Sequence, residues 1–443
     1  MSGDIPGPLA DRARAAAALI AERLADTDRV EQAVRASVER AANPFGWGGP
    51  SLLGGHAGQA LCFEYAARAD RGSARRWRAA AKEALRSVAR HTRETPLTDA
   101  SFGYGTAGLA LALSECAAHE PGYARALASA HATLAEQVHG LPRLREPDGA
   151  DPLRYDLIQG GAGVLGYLAS VPDPDAALRS AAERLIDDLA WRFAPVTARN
   201  GNDRRYVAPR FLEYPEDAAR YPDGYLDLGL AHGIAGPLAA LSRAWRAGYR
   251  RPGLFEALRH TADQMVAWSV TDEWGRNWPR ILPLDAVGAP LPTAGPVGRL
   301  AWCYGAPGIC SALLDAAIAL DDDRLRSVAA DGLRSDLCRS LRGDRRMDTA
   351  TLCHGAAGVL TIAQKFAAHG DAAIVAHLAD LTERVLDGCD PELPLVVQQI
   401  HTNARETGLD TPSVLEGSAG VALALWTVVG DTDRRWHRAL LVD

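Results

Sequence analysis

A Gly-x-x-Gly element followed by an apolar, Ala/Leu-rich run recurs seven times along the 443 residues, and no other feature limits the fold so strongly. The copies are GHAGQALCFEYA from Gly55, GTAGLALALSEC from Gly105, GGAGVLGYLAS from Gly160, GIAGPLAALSRA from Gly233, GAPGICSALLDA from Gly305, GAAGVLTIAQKF from Gly355 and GSAGVALALWTV from Gly417. Each run is too evenly apolar for a surface helix. Each therefore predicts a buried helix beginning at its glycine pair, where small residues let backbones come close. Between the runs lie amphipathic segments, such as Ala74 to His91 and Ala176 to Phe193, whose charged residues suit an outer, water-facing layer. Buried and outer helices alternating seven times suggest a closed ring of helical hairpins. An open solenoid is the alternative, although solenoid repeats are usually shorter and more even in length.

The spacing between copies is uneven. The two longest gaps hold Pro/Gly/Tyr-rich stretches, Pro195 to Pro222 and Trp274 to Pro296, which read as insertions or lids. Peptide-contacting elements and surface decoration carry equal weight for them.

Composition narrows the function. With 47% apolar and 23% charged residues the chain can bury a large core. Its formal net charge is -7, and its only lysines are Lys82 and Lys365, so no basic block is present to follow a phosphate backbone. The first forty residues read as a polar amphipathic helix rather than a signal peptide, and no run approaches the roughly 20 uninterrupted apolar residues of a membrane span. Seven scattered cysteines do not resemble a secreted disulfide framework, which leads to the expectation of a cytoplasmic protein with reduced thiols.

If the repeats are equivalent, the residues just before each Gly-x-x-Gly occupy equivalent helix entrances. Tyr104, Gln159, His232, Cys303 with Tyr304, Cys353 with His354, and Glu416 stand there. Packing would demand apolar residues at every copy, whereas these vary in chemistry, which points to a site at the axis of the ring. The sharpest pair is WCYG at Trp302 to Gly305 and LCHG at Leu352 to Gly355. Cys303 and Cys353 hold the same place in neighbouring repeats, and His354 follows directly. Two thiolates and an imidazole make a three-ligand zinc site with its fourth position open, the arrangement of catalytic rather than structural zinc. Cys62, Cys116, Cys310, Cys338 and Cys389 read instead as small buried hydrophobes.

YDLIQGGAG from Tyr155, LAHGIAGPL from Leu230, RLAWCYGAPG from Arg299, LCHGAAG from Leu352 and LEGSAGVAL from Leu415 together resemble, in order, the signature motifs of the LanC (lanthionine synthetase C) family of lanthipeptide cyclases. The resemblance spans about Leu52 to Leu425. It implies an all-α fold, an α/α toroid of seven inner and seven outer helices forming one domain over residues 1–443, with a small inserted loop or β-rich element in some members. It implies that Cys303, Cys353 and His354 hold one Zn²⁺ per chain. His232, Asp156 and Arg299 match the family's active-site histidine, aspartate and arginine, and Trp302 and Tyr304 match the aromatics beside the first ligand.

The implied reaction is Michael-type addition of cysteine thiolates to dehydroalanine or dehydrobutyrine, giving (methyl)lanthionine rings. The implied partner is a dehydrated precursor peptide, leader plus core, with a dehydratase and a transporter as candidate associates. A family branch using glutathione as the thiol is an alternative enzyme, although GC-rich composition and single-domain length favour the peptide cyclase. The absence of a long N-terminal extension argues against a fused dehydratase-cyclase. A zinc-stabilised scaffold that only presents a peptide is the non-enzymatic alternative, and it has no need of His232 or Arg299.

Overall fold

The computed structural model describes residues 5–41, 47–146, 149–195, 204–212, 215–291, 298–342, 349–400 and 408–443. Every Gly-x-x-Gly element opens a helix. Numbered as repeats one to seven, these inner helices are His56–Ala69, Thr106–Ala117, Gly161–Leu168, Ala235–Arg246, Ala306–Leu320, Ala356–Ala368 and Ser418–Val428. In six of them the first glycine is the N-cap, and Ile234 takes that place in repeat four.

A glycine cap has no side chain to satisfy the free amides of a first helical turn, so the preceding loop does so. The N–H groups of His56, Thr106, Ile234, Ala356 and Ser418 donate to the carbonyls of Gly49, Asp99, Asp227, Thr349 and Thr411, at 2.8–3.1 Å. The second glycine lets that loop lie flat on the helix. A Cβ on Gly308 would stand 2.3 Å from the Trp302 carbonyl oxygen, and one on Gly163 would stand 1.9 Å from that of Leu157.

The chain groups into two compact units, one of residues 1–99, 103–131 and 346–443, the other of residues 100–102 and 132–345. In the first, the inner helices of repeats six, seven, one and two pack in succession, so the last repeat in sequence lies against the first. Backbone bonds reinforce the contact, because Val414 and Leu415 N–H both donate to the Leu53 carbonyl at 3.2 Å. In the second unit the inner helices of repeats three, four and five form a row.

Six amphipathic helices follow inner helices in sequence: Ala74–Glu94, Ala124–Gly140, Ala176–Phe193, Leu254–Ala267, Asp323–Arg342 and Leu378–Asp387. The first buries Trp77, Ala81, Ala84, Leu85 and Val88, one stripe at helical spacing. Each large apolar side chain so buried contributes about 1.5–3 kcal/mol. The seventh inner helix is followed only by the short turn Arg435–Leu440. Its outer partner comes from the other end of the chain, helix Gly7–Ala25, which buries Ala13, Ala17, Ile20, Ala21 and Leu24. Arg14 fixes the pairing through Asp431 at 2.8 Å.

The single N-terminal helix expected from sequence is two helices. Asp26 breaks it, accepting from Arg29 N–H to cap Thr27–Arg40. The cysteines also divide. Cys62, Cys116 and Cys310 are buried on inner helices, and burial pushes the Cys62 thiol up to about 12. Cys338 and Cys389 are half-buried rather than core residues, because they lie on or just after outer helices.

Both insertions contribute to a small β element. Strand β1 (Tyr225–Asp227) and a hairpin of β2 (Val270–Asp272) with β3 (Gly275–Asn277) precede β4 (Ile281–Pro283), which pairs antiparallel with β1. Val207 bridges to Tyr225 and to Ala150. Positions 196–203, 213–214 and 292–296 of the two stretches lie outside the described residues.

Candidate active site

The entrance loops are stitched to one another by main-chain bonds. Leu157 N–H donates to the Ala231 carbonyl at 3.1 Å, and Leu230 and Ala231 N–H donate to that of Cys303 at 2.9 and 3.2 Å. Cys353 N–H donates to the Leu415 carbonyl at 2.9 Å, and Leu53 N–H to that of Gly103 at 3.1 Å. Residues two or three places before the first glycine are thereby fixed through their backbones. Immediately before the glycine, Tyr104 and Gln159 are exposed, and His232, Tyr304, His354 and Glu416 are half-buried. These varied residues therefore stand on a rigid frame.

In the 132–345 unit, three of the expected residues meet. His232 Nδ1 lies 2.5 Å from Asp156 Oδ2. An ionised carboxylate only accepts, so Nδ1 carries the proton and Nε2 is the free nitrogen. Asp156 is fully buried, and its other oxygen accepts from Gln159 and Gly160 N–H, both at 2.7 Å. It at once closes the entrance loop of repeat three and orients His232. Burial pulls the His232 pKa down, but the hydrogen bond and charge of Asp156, with Asp227 and Cys303 adding to them, leave it raised.

The Tyr304 ring lies 6.2 Å from that of His232. Burial, and then the negative charge of Asp227, hold its phenol far above the usual range, so it stays protonated at neutral pH. Asp227, itself buried, accepts from Gly229 N–H at 2.8 Å, and burial raises its carboxyl against the opposing pull of Arg280. The Arg280 guanidinium lies over the Tyr304 ring, 4.5 Å from its centre.

Cys303 stands at the entrance of repeat five, and Cys353 with His354 stands at the equivalent entrance of repeat six. Cys303 is buried, whereas Cys353 and His354 are half-buried. Two sulfurs and one imidazole nitrogen suit zinc, and three protein donors leave one position for a further ligand.

Arg299 is exposed and occupies the loop position held by Asp227, Thr349 and Thr411 in other repeats. There the Asp or Thr side chain accepts a backbone N–H, from Gly229, Thr351 and Ser413 respectively. Arginine has no acceptor, so this side chain cannot perform that turn-closing role. Trp302 is wholly buried, and its carbonyl lies against Gly308.

Asp227, Gly229 and Arg280 were not singled out by sequence reasoning. Asp227 had a readable signal, since YLDLGLAHG places an acid six residues before the first glycine, where repeat two has Asp99. Arg280 had none, because only the pairing of β4 with β1 brings it to Tyr304.

Comparisons with known proteins agree with this architecture. A family model described as lanthionine synthetase C-like protein matches residues 46–441. The nisin biosynthesis protein NisC of Lactococcus lactis subsp. lactis is 27% identical over 282 residues, covering 61% of this chain; the chain spans 63% of that relative's length. A solved nisin cyclase superposes with a TM-score of 0.75 at 22% identity, over 93% of this chain and 96% of that one. That likeness establishes the fold, a mostly helical toroid with small sheets. No helix among the described residues is long and apolar enough to cross a membrane. The chain belongs to the lanthionine synthetase C-like family.

Proposed function

We propose that this protein is a zinc-dependent lanthipeptide cyclase, joining cysteine thiols of a dehydrated precursor peptide to its dehydroalanine or dehydrobutyrine residues. The observation that carries the reading is that Cys303, and Cys353 with His354, occupy equivalent helix entrances fixed by main-chain bonds, and together they make a donor set suited to one zinc with an open position. A bound Zn²⁺ would lower the pKa of a substrate thiol and keep its sulfur as thiolate at neutral pH.

The remaining chemistry falls to side chains. The thiol proton passes to His232 Nε2, the nitrogen left free by the Asp156 bond. The sulfur forms its bond to the β-carbon of the dehydro residue, and the alkene electron pair moves to give an enolate. The Arg299 cation stabilises the enolate oxygen, while the Tyr304 phenol offers a hydrogen bond. His232 then returns its proton to the α-carbon, so thiol and alkene are consumed and no proton is gained or lost. A positioned acid-base group of this kind contributes about 10²–10⁴ in rate. Trp302, wholly buried and next to Cys303 in the chain, anchors the Cys303 loop in this reading.

The two insertions, 195–222 and 274–296, serve in this reading as peptide-contacting lids on one domain. Removing part of either should weaken precursor binding more than zinc binding. The protein would act in the cytoplasm, beside the dehydratase and transporter of the same pathway.

The test is to incubate purified protein with a dehydrated precursor peptide and count remaining thiols with an alkylating reagent, because ring closure leaves peptide mass unchanged. Thiols should disappear with time. A parallel arm offers glutathione and the same peptide with its cysteines blocked. Addition of glutathione there, with no ring closure in the first arm, would favour the glutathione-using alternative. No thiol loss in either arm would favour a scaffold.

A further inference from the structure

We infer that Arg280 and Gly229 form a clamp on Tyr304, making Arg280 a positioning residue for thioether formation and giving the inserted β element a part in catalysis. The inference rests on the cyclase reading above, within which Tyr304 faces the reacting groups.

The clamp has two jaws, both on one ribbon. Gly229 lies directly against the Cδ1–Cε1 side of the phenol ring, since a Cβ there would stand 2.4 Å from Tyr304 Cδ1 and 2.9 Å from Cε1. Only bare backbone fits. The Arg280 guanidinium covers the ring 4.5 Å from its centre. Gly229 follows β1 and Arg280 precedes β4, and the two strands pair with Asp227 opposite Ile281. A further bond, Leu228 N–H to the Arg280 carbonyl at 3.1 Å, extends the ribbon to both jaws and fixes the gap between them. Buried Asp227 supplies the charge that draws Arg280 inward, as Arg280 in turn opposes the rise of the Asp227 carboxyl.

The arrangement has a purpose that packing alone does not explain. Tyr304 follows Cys303 directly and faces His232 at 6.2 Å. A tyrosine in a half-open loop would otherwise sample several rotamers. Confined by the Gly229 backbone along its Cδ1–Cε1 side and by the Arg280 cation over the ring, it keeps one orientation, with its hydroxyl held ready as a donor. A desolvated cation–π contact of this kind corresponds to roughly ten- to thirty-fold in a rate that depends on it.

A double-mutant cycle on the full-length, zinc-loaded protein tests this, with thiol loss from dehydrated precursor as readout and zinc content and thermal midpoint measured for each variant. Arg280→Ala should cut the cyclisation rate by roughly ten- to thirty-fold with zinc retained. Arg280→Lys, which keeps charge over the ring but not the flat stack, should recover part of the loss. In a Tyr304→Phe background the Arg280→Ala change should cost little more, because both act through the same phenol. Equal losses from Arg280→Ala in both backgrounds would overturn the clamp while leaving the cyclase reading intact. A Tyr304→Phe variant as active as wild type would overturn the clamp and the role of Tyr304 together. A wild-type protein unable to close rings would instead strike at the proposed function. If Arg280→Ala lowers the thermal midpoint substantially, the Arg280→Lys arm of the cycle decides the question.

Discussion

Asp156 divides its two carboxylate oxygens between two tasks: Oδ1 accepts the Gln159 and Gly160 amides at the entrance of repeat three, and Oδ2 holds His232 Nδ1 at 2.5 Å. The residue that closes the entrance loop of repeat three therefore also orients the imidazole of the next repeat. One side chain thus ties the local loop structure to the position of His232.

Substitutions at Asp156 should separate the two tasks. Asp156→Asn keeps an acceptor for the amides but removes the charge facing His232, so it should lower cyclisation by up to roughly 10²-fold while changing the thermal midpoint little. Asp156→Ala leaves the buried Gly160 amide without its acceptor and should in addition destabilise the fold by about 1–3 kcal/mol. Thermal unfolding alongside thiol counting checks both, and equal destabilisation by the two variants would contradict the division of labour.

His232→Ala should retain zinc, because His232 heads a different repeat from the donor set, and should lose roughly 10²–10⁴ in cyclisation rate. Arg299→Ala should retain zinc and lose roughly 10²–10³. Zinc quantification beside rate measurement is decisive: loss of zinc from His232→Ala would make it a ligand.

Gly305 has φ of 123°, and a Cβ there would stand 1.6 Å from the Arg299 carbonyl oxygen. Both backbone strain and collision oppose any side chain. Gly305→Ala should therefore lower stability by about 1–3 kcal/mol or more and weaken zinc retention, since the displaced loop carries Cys303. Denaturant unfolding and metal analysis of the same preparation test it, and an unchanged midpoint would contradict the geometry.

His437 predicts an acid sensitivity unrelated to the site. It is fully buried, neither ring nitrogen has a hydrogen-bond partner, and burial, with Arg434 and Lys365 nearby, lowers its pKa to about 3. The unfolded chain takes up this proton near the ordinary value of 6.5 and the folded one does not. The stability present above about pH 6.5 is therefore lost progressively as pH falls towards about 3, by up to roughly 1.4 kcal/mol per pH unit. His437→Leu should flatten the fall of thermal midpoint between neutral and mildly acidic pH. A variant that tracks wild type across that range would contradict the assignment.

What the chain's primary structure disclosed follows from what is local. A Gly-x-x-Gly before an apolar run encodes its own helix start, so all seven inner helices were legible, and equivalent places before the glycines marked Cys303, Cys353, His354 and His232. Long-range pairing left no such trace. Nothing in Gly7–Ala25 says that its apolar stripe covers the seventh inner helix, because amphipathicity reports a buried face without naming its partner. Arg280 was hidden for the same reason, its place over Tyr304 being set by strand register between segments far apart in sequence.

The central claim is that one zinc, held by Cys303, Cys353 and His354, equips this chain to close thioether rings. Its most direct test is the time course of alkylatable thiols in a dehydrated precursor peptide treated with wild-type protein or with Cys353→Ala, each assayed for metal. Wild type should hold one zinc per chain and consume the thiols, whereas the variant should remain folded, lose the metal and leave the thiols untouched. Full zinc occupancy and undiminished thiol loss in Cys353→Ala would contradict the account.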